Sequence, residues 1–275
     1  MMRRRGRIFI GAALAALGLL GVVGLLLTND TRKVSMPSID VATRTVTSEQ
    51  LTAARKIRVF LGHMSVGENI LSGTKTLYQA LDAAPPSVVQ FTVGGPLPDV
   101  PDRGGIVHAL IGENGDPLGK LRNFDTVLRS GLAEEIDVAV LKFCYVDINH
   151  ATEVDSLFQQ YRSTLDALKR DYPDITFLHA TVPLTVKQSG VKGTIKSLIG
   201  RDDNVARERY NALMREAYGL DLLFDIAALE ATAPDGSRTP ALYDGYTTDG
   251  GHLNETGSAM VAAGLLRLLS TVDVS

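Results

Sequence analysis

Asp249 and His252 stand three residues apart in Tyr246-Thr-Thr-Asp249-Gly-Gly-His252-Leu-Asn-Glu-Thr-Gly257, close to the C-terminus. On one turn, that spacing lets a carboxylate hold an imidazole in a single tautomer, the orienting half of a nucleophilic triad. The nucleophile is best supplied far upstream by Ser65, in Gly62-His63-Met64-Ser65-Val66-Gly67. Gly62 and Gly67 permit a tight turn, and a serine opening a helix can aim its own backbone N–H at an oxyanion. Blander readings exist for each: Ser65 as a helix N-cap, Asp249 and His252 as turn residues ahead of a helix. Zinc held by His63, Asp249 and His252 is a further alternative, but no HExxH or CxxC spacing accompanies it. The favoured reading is a Ser65–His252–Asp249 triad with no metal and no cofactor. His63, two residues before Ser65, is either a substrate contact or a structural histidine beneath the turn.

Positioning these residues requires a scaffold, and from Ile57 the chain alternates strand and helix patterns. Strands are expected at Ile57–Leu61, Val88–Val93, Ile136–Cys144, Thr176–Val182 and Leu220–Ile226. Ile70, Leu71, Leu77, Tyr78 and Leu81 mark one helix face. Val154, Leu157, Phe158, Tyr161, Leu165 and Leu168 mark another. Further helices are expected at about 117–132, at 202–218 and at 254–269, the last with Asn254 as N-cap. Between them, residues 96–117 hold several prolines and glycines and read as an irregular, site-shaping stretch. The pattern implies a three-layer α/β/α sandwich on a mostly parallel five-stranded sheet, with Ser65 and His252 on the same C-terminal rim.

With Ser65 after the first strand and Asp249-x-x-His252 before the last helix, the chain resembles the SGNH (GDSL-type) hydrolase superfamily. The resemblance covers about residues 57–270. His252-Leu-Asn-x-x-Gly257 looks like the family's closing block, and Arg207-x-x-x-Asn211 has the look of its penultimate helix. It implies an ester hydrolase acting on small acyl esters through Ser65, His252 and Asp249. Two blocks depart from the pattern. Gly62-His63-Met64-Ser65 replaces Gly-Asp-Ser, and Cys144-Tyr145-Val146-Asp147 puts Val146 where the family's oxyanion asparagine stands. The oxyanion donors are then expected to be the Ser65 backbone, Asn114 and, more loosely, the Gly95 backbone.

The first 27 residues differ in kind from the rest. Arg3, Arg4, Arg5 and Arg7 precede the uncharged run Ile8–Leu27, which at about 1.5 Å per residue spans a bilayer core of roughly 30 Å. An uncleaved signal anchor with a cytoplasmic basic end is expected; a cleaved signal peptide is the rival, and either exports the remainder. Residues 28–55 read as a linker and 56–272 as the hydrolase-like domain. Without the four arginines the chain carries 24 basic against 31 acidic side chains, which speaks against nucleic-acid partners. The single cysteine, Cys144, excludes an internal disulfide. The expected substrate is a small-molecule or glycan ester, with acyl transfer by the same triad, or an inactive membrane-tethered glycan-binding domain, as alternatives.

Overall fold

Residues 38–187 and 202–273 are described by a computed structural model of the chain. The expected signal anchor, residues 1–27, lies outside them. Among the described residues no helix is long and apolar enough to cross a membrane. The described residues all belong to one compact unit.

Six strands, all parallel, form the sheet: β1 (Arg58–His63), β2 (Ser87–Phe91), β3 (Gly105–Leu110), β4 (Val138–Leu141), β5 (Thr176–Ala180) and β6 (Leu223–Phe224), in the order β2-β3-β1-β4-β5-β6. Eight helices are described: α1 (Asp40–Thr43), α2 (Ser48–Ala54), α3 (Val66–Ala80), α4 (Pro117–Arg129), α5 (Val154–Asp171), α6 (Asp203–Ala217), α7 (Ile226–Glu230) and α8 (Glu255–Leu269). Strand residues alternate between two cores, as the period of two requires. Val59, Leu61, Ile106, Val138 and Val140 face α3 and α8, with Ile70, Leu77, Ala262 and Leu266. Phe60, Val107, Ala139 and Leu141 face α4, α5 and α6, with Phe124, Phe158, Tyr161 and Tyr210. That is the expected sandwich with one more strand.

The additional strand, β3, falls inside the proline- and glycine-rich stretch expected to be irregular. Six residues suffice because β3 pairs on both sides, with β1 and with β2. A strand buried on both faces shows no polar alternation, so its pattern is a short apolar run lost among turn residues. The described part of the expected linker differs: α1 and α2 belong to the domain, with Ala42, Val46, Leu51 and Ala54 buried in the α3/α8 core. A capping box at Thr47 and Gln50 starts α2. The last expected strand shrinks to Leu223–Phe224.

Two helices set the site. α3 begins immediately after Ser65, and α8 begins three residues after His252. They pack so closely that a Cβ on Gly73 would enter the backbone of Ser258 and Ala259. Asn254 caps α8 as expected, accepting from the Gly257 N–H at 3.0 Å.

Candidate active site

The β1–α3 junction is a sharp turn whose apex is Ser65, at φ 50° and ψ −105°. Positive φ is rare for a side-chain-bearing residue and costs of order 1–3 kcal/mol, held only where the surroundings over-determine it. Three contacts do so here. The Glu68 N–H donates to the Ser65 carbonyl at 2.8 Å, and the Gly67 N–H to the Met64 carbonyl at 3.1 Å. Beneath them the Lys142 ammonium donates to the same Met64 carbonyl at 2.8 Å. Lys142 is fully buried, the one polar residue in its apolar strand-end run, and also meets the Cys144 sulfur at 3.3 Å. Burial lowers its pKa, and the neighbouring Cys144 opposes that shift.

Ser65 does not cap α3 with its side chain. Its Oγ lies 2.5 Å from His252 Nε2, and His252 Nδ1 lies 2.7 Å from Asp249 Oδ2. The carboxylate fixes the tautomer: Nδ1 carries the proton, so Nε2 offers a lone pair to the serine hydroxyl. Asp249 is itself held, since its Oδ1 accepts from the Gly251 N–H at 2.9 Å and the His252 N–H at 2.8 Å. The Gly251 N–H first, then the His252 ring and the His252 N–H, hold the Asp249 pKa well below the usual carboxylate range. Thr247 locks the loop by donating to the His252 carbonyl at 2.6 Å. Asn69 on α3 accepts from the Leu253 N–H at 3.3 Å, tying the base loop to the nucleophile's helix. The Tyr145 ring meets His252 edge-on, with centroids 5.8 Å apart. Tyr145, Thr247 and Asn69 escape sequence reasoning because each is defined by a partner distant in the chain or by a loop's closure.

Other expected site residues fall differently. His63 is fully buried; its Nε2 lies 2.9 Å from His108 Nδ1, and a Cβ on Gly67 would strike its ring. It is the structural histidine beneath the turn, not a substrate contact. Burial pushes its pKa down to about 3, with His108 and Lys142 adding to the shift. The zinc set of His63, Asp249 and His252 is not assembled, since His252 and Asp249 turn toward Ser65. Gly95 is not an oxyanion donor: it follows the edge strand β2, behind β3, and its N–H donates to the Thr92 carbonyl at 3.0 Å. In its place the loop after β3 runs beside the end of β1, where the Ile111 N–H donates to the His63 carbonyl at 3.1 Å.

That loop carries Asn114. Its Oδ1 accepts from Lys120 Nζ at 3.1 Å, which leaves the amide nitrogen as the donor end. Lys120 is buried and paired with buried Asp147 at 2.7 Å. Asp147 also accepts from the Gly115 N–H at 2.8 Å and the Cys144 N–H at 2.6 Å. One carboxylate thus joins the loop after β3 to the loop after β4. Arg207, on α6, donates to the Tyr145 carbonyl at 2.7 Å and the Ile148 carbonyl at 3.1 Å. Asn211 brackets Val182 through both its amide atoms.

No protein-family profile matches the chain, and no curated protein does. Solved structures do. A proposed platelet activating factor from Streptococcus pneumoniae aligns at 16% identity and TM-score 0.49, covering 92% of this chain and 99% of that one. A protein assigned to lipolytic proteins of the G-D-S-L family, from Desulfitobacterium hafniense, aligns at 14% and 0.40 over 76% and 98%. A GDSL-like lipase from Bacteroides thetaiotaomicron aligns at 11% and 0.44 over 86% and 91%. The chain is similar to GDSL-type proteins. What its site does is read from its own residues.

Proposed function

We propose that the protein is a serine ester hydrolase of SGNH type, exported and anchored by its N-terminal segment. The observation that carries this reading is the unbroken line Ser65 Oγ–His252 Nε2 and His252 Nδ1–Asp249 Oδ2, at 2.5 and 2.7 Å. In the first half-reaction His252 Nε2 takes the hydroxyl proton while Oγ adds to the ester carbonyl. Asp249 stabilises the imidazolium, and the proton passes to the departing alkoxide. Water then attacks the acyl-serine by the same path in reverse, releasing the acid and restoring Ser65. The oxyanion is held by the Ser65 backbone N–H, for which no acceptor occurs among the described residues, and by the Asn114 amide.

Small acyl esters on cell-envelope glycans are the proposed substrate class, in keeping with an acidic domain outside the membrane. Transfer of the acyl group to a sugar would use the same acyl-serine. Val146, with 39% of its surface exposed and no donor to offer, supports a second reading, a glycan-binding domain of the same fold with little turnover.

A fluorophosphonate probe should label the full chain and not Ser65→Ala, and p-nitrophenyl acetate should be hydrolysed by the first alone. Asn114→Ala should keep labelling while kcat falls by about 10²–10³. No labelling and no turnover above background would replace the hydrolase by the binding reading. Sedimentation with carbonate-washed membranes, and an unshortened mass, test the anchor.

A further inference from the structure

Outside the triad, a cluster of metal-ligating side chains among the described residues stands at the other side of the same turn. His63 ends β1, His108 lies on β3, and Glu68 lies in the first turn of α3. In the β1–β3 register Leu61 faces His108 and His63 faces Leu110, so the two histidines are diagonal neighbours on one sheet face. Their ligand atoms, with a Glu68 carboxylate oxygen, lie within 4.8 Å of one another. His63 Nε2 is 2.9 Å from His108 Nδ1 and 3.9 Å from Glu68 Oε1. Tetrahedral coordination at bonds of about 2.0–2.1 Å separates ligand atoms by about 3.4 Å, so seating an ion needs the histidine nitrogens to part by about half an ångström and the exposed Glu68 side chain to swing in by about an ångström. Both imidazoles are buried, while the Glu68 side chain is 54% exposed and gives an ion a way in.

We propose that His63, His108 and Glu68 form a site for a divalent ion of zinc type, separate from the triad. Two imidazoles and a carboxylate are a zinc donor set that leaves a fourth position for water. The ion would join the residue two before Ser65 to the residue three after it and fasten both to β3. It would thus clamp the strained turn without touching the reacting atoms. His63 Nδ1 is buried with no hydrogen-bond partner. With Nε2 on the metal, the ring proton sits on that nitrogen without the usual outer acceptor, which weakens binding about 10–100-fold against a fully supported site.

Zinc titrated into the metal-stripped full chain at a hundred times its dissociation constant should raise the melting temperature by about 5–10 °C. Cobalt(II) should give the visible absorption of a tetrahedral nitrogen–oxygen site. Both signals should vanish in His108→Asn and in Glu68→Gln, the latter at an exposed position that leaves the core intact. Ser65→Ala should keep both, so the result is independent of whether the triad is active. Absence of either signal in the unsubstituted chain would overturn the proposal. So would signals of full size in the Glu68 and His108 variants, which would place the ion elsewhere.

Discussion

Ser65 holds a conformation that its side chain disfavours, and the strain is local to the residue that would attack the ester. Glycine populates positive φ without that penalty. Ser65→Gly should therefore be inactive yet more stable than the unsubstituted chain by about 1 kcal/mol, measured by urea denaturation. Ser65→Ala keeps the strain and should show no such gain; equal stabilities of the two variants would mean the turn is relaxed. The same residue shows how far the sequence reaches at this scale. Asp249 and His252 are legible because three residues of chain separate them, and local geometry does the rest. The donor opposite them is not legible in that way. Gly95 is the nearest match by order along the chain, yet β3 lies between its strand and β1. Asn114 is favoured by its loop and by Lys120, a contact no spacing rule announces.

Helices α3 and α8 act as one element, because the first starts at the nucleophile and the second follows the base. Their separation is fixed where Gly73 lies against the backbone of Ser258 and Ala259. Gly73→Ala would gain about 1 kcal/mol in helix propensity. Forcing two backbones apart costs about 1–3 kcal/mol or more, so overpacking should win, with a net loss of about 1–2 kcal/mol in denaturation. Because the shift moves Ser65 relative to His252, kcat for p-nitrophenyl acetate should fall while thermal unfolding stays cooperative. Unchanged stability and rate would show that the helix pair does not set the triad distance. α5 was legible in full, since its six apolar positions repeat at helical spacing and all six are buried. β3 was not, because five of its six residues are buried, and a run buried on both faces carries no period to read.

At the scale of the molecule, ionisable groups among the described residues are buried in places where the fold needs donors and acceptors. Lys142 braces the nucleophile turn, Lys120 with Asp147 joins two loops, and Glu230 takes the Leu184 N–H at the end of α7. Glu230 is fully buried, and that burial raises its pKa well above the usual value; its second oxygen has no partner. A carboxyl whose folded-state pKa is raised binds its proton more tightly folded than unfolded. Its contribution to stability is complete below about pH 4.3, the unfolded value, and is lost as pH rises through the folded value. Glu230→Gln keeps the acceptor and stays neutral. It should match the unsubstituted chain near pH 4 and exceed it above, by up to about 1.4 kcal/mol per pH unit until the folded value is passed. Urea midpoints at pH 4, 6 and 8 check this; a difference independent of pH would refute it.

The alternation of strands and helices, the parallel sheet, the Asp249–His252 pair and the serine that follows the first strand are all written in local stretches of the chain. All of these depend on neighbours within a few turns of chain, or on the order of elements, which topology then converts into a shared rim. Packing across the sheet sets His63 against His108 and brings Lys142 to the carbonyl before Ser65. It also places β3 between Gly95 and the site. Each of these turns on which residues meet across the sheet. A register of strands is set by packing on both faces, and no single segment of the chain encodes it.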